Sequence, residues 1–144
     1  MSFGKLDVAT LLRAVENDNN SEFENLTREI IAQQKNEILG ELCFNPDSLD
    51  YFKTTLKDYR YIDTLASLKY GSYVRWFDIR DASDVYLTPG GVVLTLEPNE
   101  DDVVVKCKNF TRKVFQFEFN KSIVFQKLSS QEQVILSAME MLEK

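Results

Sequence analysis

The stretch Tyr70-Gly71-Ser72-Tyr73-Val74-Arg75-Trp76-Phe77-Asp78 opens the part of the chain that decides its fold. Two later runs belong with it: Val114-Phe115-Gln116-Phe117-Glu118-Phe119 and Ser122-Ile123-Val124-Phe125-Gln126-Lys127-Leu128. In the run that begins at Val114, three phenylalanines alternate with other residues, which is the period of a β-strand with two different faces. Residues 70–128 are therefore predicted to form a small β unit whose aromatic side chains fill its core.

Turn signals divide this unit into five or six short strands. Thr88-Pro89-Gly90-Gly91 fits a type II turn, because proline sets φ at the first central position and glycine accepts a positive φ at the next. Further strands are predicted at residues 85–87, 92–97 and 103–108. Short strands joined by tight turns are typical of small antiparallel barrels, which remove exposed edges by closing. We expect an SH3-like antiparallel barrel.

Helical periodicity flanks the β unit on both sides. Apolar spacing predicts helices over residues 7–16, from residue 21 to 39 or 42, and from about residue 49 to 59 or 62. Residues 62–68 fit either a short helical turn or an extended segment. A capping box, Ser129-Ser130-Gln131-Glu132, begins a closing C-terminal helix. The expected fold class is α+β, with an N-terminal helical segment over residues 1–69 and a barrel with its closing helix over residues 70–144.

Composition limits the classes of protein to which the chain can belong. Its 144 residues and 44% apolar content suit one globular domain with a real core. The net charge of −6 argues against a general nucleic-acid binder, because phosphate neutralisation requires basic residues. Cys43 and Cys107 fit two reduced, buried thiols, with one disulfide as the alternative. No signal peptide or membrane-spanning run is recognisable, so an intracellular site is expected and secretion is not.

The residue types needed for catalysis are scarce. The chain has no histidine, which removes the commonest general base and metal ligand. No phosphate-binding or nucleophile motif is present. Asp78, Asp81 and Asp84 could supply oxygen ligands to a divalent cation, but such a run is more simply a solvated loop. We therefore predict no enzyme activity and no catalytic, cofactor-binding or metal site.

One set of residues suggests a binding face. Tyr73, Arg75 and Phe77 alternate along the first strand and resemble an aromatic platform with a cation beside it. Basic residues in the strands that follow extend this candidate interaction face: Lys106, Lys108 and Arg112. Trp76 has the opposite parity and is assigned to the core. A single-stranded nucleic acid or a protein partner would suit such a face. The apolar stripe of the second helix fits packing on its own domain or a partner-binding groove.

Three segments taken together resemble a family of small proteins of nucleocytoplasmic large DNA viruses. They are residues 70–78, the run Leu87-Thr88-Pro89-Gly90-Gly91-Val92-Val93, and residues 124–129 with 132–138. The resemblance covers about the C-terminal half of the chain. It implies a viral origin and a role in the virion or in viral replication, and it carries over no catalytic residue.

The expected function is therefore that of a non-enzymatic structural and interaction protein. The leading hypothesis is a virion component, such as a minor capsid or capsid-associated protein, that binds other protein subunits in the virion or the host cytoplasm. The alternative is a nucleic-acid-binding or adaptor module in viral transcription or replication.

Overall fold

The computed structural model describes residue 12 and residues 26–42, 45–81 and 83–142. These residues form an α+β protein, as predicted. Contacts divide them into two compact units. One unit contains the described residues up to Lys53 together with those from Leu128 onward, and the other is Thr54–Lys127. The C-terminal helix thus groups with the N-terminal helices, whereas the sequence had placed it with the β unit.

The elements are named in chain order. The helices are α1 (Arg28–Glu41), α2 (Pro46–Thr55) and α3 (Ser130–Leu142), with 3-10 turns at Leu65–Ser67 and Phe119–Lys121. The strands are β1 (Tyr59–Ile62), β2 (Tyr73–Asp78), β3 (Gly91–Asn99), β4 (Asp102–Lys108), β5 (Val114–Glu118) and β6 (Ser122–Lys127). The predicted helix at residues 7–16 lies outside the described residues, apart from Leu12.

All six strands belong to one antiparallel sheet with the order β1-β6-β2-β3-β4-β5. Within the described chain, β1 and β5 are the two edges and do not pair with each other, so the expected closed barrel is not supported. Strand lengths and turns carry no information on closure, which depends on pairing between strands that are distant in the sequence.

The sheet is nevertheless strongly curved. Only the turn Phe119–Lys121 joins β5 to β6, although three strands lie between them in the sheet. The ring of Trp76 on β2 stacks on that of Phe117 on β5, with centroids 4.2 Å apart. The turn is held to the start of β4 because the backbone N–H of Asn120 donates to Asp102 Oδ1 at 3.0 Å. The curvature brings the two ends of the meander β2–β5 close together.

Both faces of the sheet contain buried residues. One face carries a core cluster that includes these side chains: Ile62, Leu68, Val74, Trp76, Val93, Val105, Cys107, Phe117 and Val124. Phe77 and Phe125 have the opposite parity, are fully buried and meet edge to face at 6.0 Å. The prediction that Trp76 belongs to the core is confirmed.

Two predicted elements differ in the structure. The helical period predicts Tyr59–Ile62 as the end of the third helix, but these residues form strand β1, paired with β6. Four residues are too few to separate the helical period of 3.6 from the strand period of 2. The strand predicted at residues 85–87 is reduced to a single bridge between Leu87 and Phe77. The positive φ expected for Gly90 is present, at 88°.

The helical unit shows how the predicted caps work. Ser129 N–H donates to Glu132 Oε1 at 2.7 Å, and Glu132 N–H donates to Ser129 Oγ at 3.1 Å, which confirms the capping box before α3. Arg28 of α1 pairs with Glu140 of α3 at 3.0 Å and donates to Ser137 Oγ. Ile31, Ile135 and Leu136 are in the apolar cluster of this unit. The buried side of α1 is therefore used for packing within the unit.

Candidate interaction surfaces

The sheet places five of the six residues of the predicted interaction face on one side. Tyr73 pairs with Val92, and Val92 pairs with Lys108, so the three lie in one row across β2, β3 and β4. Arg75 and Phe77 follow Tyr73 at the strand period, and Lys106 precedes Lys108 in the same way. Arg112 lies in the β4–β5 turn. The alternation of Tyr73, Arg75 and Phe77 along β2 thus places those three side chains on one face.

The aromatic platform expected on this face does not form. Phe77 has no exposed surface, so its ring is closed to a ligand. The Tyr73 hydroxyl donates to Pro89 O at 2.7 Å, and Arg75 Nε donates to Thr88 O at 2.8 Å. These two side chains hold the segment before β3 against β2. Tyr73 and Arg75 therefore stabilise the packing of this neighbouring segment.

The basic residues of the face divide into paired and exposed groups. Lys106 Nζ lies 3.0 Å from Glu97 Oε2, in a pair that is partly open to solvent. Lys108 and Arg112 are exposed, as is Lys113 beside them. The solvent-accessible positive charge of this face is therefore concentrated at the β4–β5 turn and at the end of β4 beside it.

Asn109 gives that turn a defined shape. Its Oδ1 accepts from the backbone N–H groups of Thr111 and Lys113, at 3.0 and 2.9 Å. Arg112 takes a left-handed φ of 66°. Phe110 is carried at the turn with 88% of its surface exposed, although the sequence placed it in the aromatic core. A side chain in a tight turn has no facing strand to cover it, which the strand period does not reveal.

Apolar exposure continues from the turn into the edge strand β5. Val114 is 59% exposed and Phe115 is 46% exposed, whereas Phe117 is only 7% exposed. Phe115 and Phe117 have the same parity, since they pair with Cys107 and Val105 on β4. We call Phe110, Val114 and Phe115 the hairpin patch. An edge strand with exposed apolar side chains is a ready template for another chain.

An aromatic groove lies beside the patch and has a volume of about 280 Å³. Its lining includes Trp76, Tyr86, Pro89, Phe115 and Asp78. Trp76 is held in place by its stacking on Phe117, whereas Tyr86 is 56% exposed. Sequence reasoning missed this groove because its residues come from three separated segments.

An acidic depression of about 210 Å³ is lined by Asp78, Arg80, Asp81, Asp84 and Tyr86. The Arg80 guanidinium holds Asp78 by a bidentate contact, and this bond lowers the pKa of the Asp78 carboxyl. The hydroxyl and N–H of Ser83 donate to Asp81 and lower its pKa likewise. Both carboxylates are therefore ionised at neutral pH. No cluster of three potential metal ligands occurs among the residues that the structure describes.

The Cys107 thiol is free and buried. Burial raises its pKa to about 12, so the nucleophilic thiolate is not populated at neutral pH. Its environment is that of a core side chain, as the sequence suggested. Cys43 lies outside the described residues.

Comparison of the chain with protein-family models, curated proteins and solved structures gives no match. In the described part of the chain, none of the helices has the length and apolar character that crossing a bilayer requires.

Proposed function

We propose that this chain is a non-enzymatic structural and interaction protein, a minor capsid or capsid-associated component of a large DNA virus. Its partners are other protein subunits, in the virion or in the host cytoplasm. The observation that carries the interaction role is the hairpin patch on the edge strand β5. The viral setting rests on the family resemblance of residues 70–78, 87–93, 124–129 and 132–138.

The hairpin patch favours a protein partner for two reasons. The exposed Phe110, Val114 and Phe115 offer apolar surface whose burial is favourable, at about 25 cal/mol per Å². In the described chain, the outer edge of β5 also offers backbone groups to an added strand. Natural proteins usually protect such edges, so a covering subunit accounts for an apolar edge.

The non-enzymatic part of the proposal is supported by chemistry. The chain has no histidine, and the one thiol that the structure describes, that of Cys107, is held in the neutral form. Asp78 and Asp81, the carboxylates of the acidic depression with lowered pKa values, are bound to neighbouring side chains. A general acid or base at neutral pH requires a carboxyl pKa that is raised.

Quantitative proteomics of purified particles tests the virion role. A high and constant copy number per particle is the expected result, and absence from particles would refute it. A tagged Val114→Lys variant should enter particles several-fold less than the wild type, because the new charge would be buried at the interface. Tyr51→Lys is the matched control, since Tyr51 is 63% exposed on α2 and lies outside the patch.

A second candidate is binding of single-stranded nucleic acid, which one observation favours. Phe110 is exposed within a turn that also carries Lys108, Arg112 and Lys113, so a base could stack beside cations. The net charge of −6 opposes it. Fluorescence anisotropy with single-stranded DNA and RNA at low salt decides the matter. Binding lost in Phe110→Ala supports this role, and no binding at low salt excludes it.

A further inference from the structure

The aromatic groove and the acidic depression form one continuous surface. Both are lined by Asp78 and Tyr86. One part is lined by the exposed rings of Tyr86 and Phe115, by Pro89 and by the largely buried Trp76. The other presents three carboxylates and one guanidinium, which leave a net formal charge of −2. An apolar part thus lies directly beside an anionic part.

The shape of this surface suits a segment of chain more than a free small molecule. Small-molecule sites are usually enclosed pockets of about 300–1,000 Å³ that bury most of the ligand. This groove lies at the small end of that range, at about 280 Å³, and about half of the Tyr86 and Phe115 surface remains open. Aromatic-lined grooves of this kind receive single side chains of an extended peptide.

The charge of the surface selects among extended peptides. Asp78 and Asp81 remain ionised at neutral pH because their hydrogen-bond donors stabilise the carboxylates. Arg80 neutralises one carboxylate and leaves Asp81 and Asp84 to attract a second cation. An acidic peptide would be repelled here, whereas an arginine or lysine would be drawn in.

We propose, resting on the interaction role inferred above, that this groove binds an extended segment of a partner protein in which an apolar residue adjoins an arginine or lysine. The apolar residue lies against the exposed rings of Tyr86 and Phe115, next to the largely buried Trp76, and proline suits this position best. A proline-containing segment is already extended in solution and loses less conformational entropy on binding. The basic side chain reaches Asp81 and Asp84.

The test begins with selection of short random peptides on the full chain. Selected peptides should be enriched in Arg or Lys next to Pro or another apolar residue. Trp76 is the only tryptophan and lines the groove, so titration with the best selected peptide should change its fluorescence. Selection of acidic peptides, no enrichment, or unchanged Trp76 fluorescence would overturn the proposal.

Variants locate the binding. Tyr86→Ala should weaken the selected peptide about tenfold, as expected for an aromatic anchor. Asp84→Asn should weaken it about threefold and reduce its salt dependence. Tyr70→Ala and Asp63→Asn are the controls, since both residues are exposed and lie outside the groove. Equal affinity of Tyr86→Ala and wild type would refute the assignment, provided that circular dichroism shows both to be folded.

Two further outcomes separate this proposal from the one before it. Self-association in analytical ultracentrifugation that disappears in Tyr86→Ala would mean that a second copy, and not a partner peptide, occupies the groove. If the wild type is found in particles but binds no basic peptide, the groove proposal fails alone. If the peptide binds but particles lack the protein, the virion role fails and the groove proposal stands.

Discussion

The strand β2 and the β4–β5 hairpin look alike in sequence but differ in the folded protein. Both carry closely spaced aromatic residues in β-strands or the turn beside them. On β2, Trp76 and Phe77 are buried on opposite faces. Of the three aromatic residues Phe110, Phe115 and Phe117 on the hairpin, the first two are exposed and only Phe117 is buried. The strand β2 has β6 and β3 on its two sides, whereas β5 has only β4 in the described chain. Alternation along a strand therefore does not by itself decide whether an aromatic ring is exposed. The ring is buried only where another element of the structure packs against it.

The largest expected effect tests this difference within one strand. Phe117→Ala should lower the free energy of unfolding by about 3–5 kcal/mol, because it removes a buried ring and leaves a cavity beside Trp76. Phe115→Ala, which changes a half-exposed ring of the same parity, should cost about 1 kcal/mol or less. Urea denaturation measures both. Equal losses would mean that the two positions are equally buried.

A second prediction concerns the turn that lies against β2. Gly90 has a φ of 88°, and a Cβ there would overlap the carbonyl oxygen of Val74. Gly90→Ala should therefore cost about 3 kcal/mol or more, from backbone strain and displacement of β2.

Gly71 is the matched control for that substitution. Its φ is 80°, but no atom lies within 4 Å of the Cβ that alanine would add. Gly71→Ala should cost only the left-handed strain, about 1 kcal/mol. Thermal denaturation compares the two variants, and an equal loss would show that the contact with Val74 is unimportant.

A third prediction concerns the crossover that joins the hairpin to β6. Asp102 has a side chain only 3% exposed, and its pKa is lowered by the N–H of Asn120 and further by Val103 and Lys121. The stabilisation is therefore fully present above the unfolded-state pKa of about 3.9 and is lost as the pH falls through the lower folded-state value. Asp102→Asn should reduce stability at neutral pH and flatten the acid limb of the profile.

Denaturation curves collected from pH 7 down to about pH 2 would measure this dependence. Asp101→Asn is the control, because Asp101 is an exposed neighbour in the β3–β4 turn. An unchanged acid limb in Asp102→Asn would show that this carboxylate does not hold the crossover.

The smallest effect is expected on the face that the sequence identified for binding. Lys106→Ala removes a partly exposed ion pair with Glu97 and should cost about 0.5 kcal/mol, decreasing as salt is added. Urea denaturation at low and high salt measures it. A loss comparable to that of Phe117→Ala would contradict the view that this part of the sheet surface is energetically minor.

Much of the fold could be predicted because local rules decide it. The capping box at Ser129–Glu132 needs only four consecutive residues, and both of its hydrogen bonds form. The alternation of Tyr73, Arg75 and Phe77 placed them on one face, since the strand period is 2. The candidate site was less predictable. The exposure of Phe110 and the groove around Trp76 depend on segments that are distant in the sequence.

Local patterns in the amino-acid sequence are enough to predict the fold class, the strands of the meander, the assignment of Trp76 to the core and the shortage of catalytic residue types. These follow from side-chain chemistry and from short-range periodicity. Long-range packing is what leaves β1 and β5 unpaired with each other in the described chain, buries Phe77 and exposes Phe110 and Phe115. The physical reason is that burial and closure are set by which distant strand lies alongside, and no local pattern encodes that neighbour.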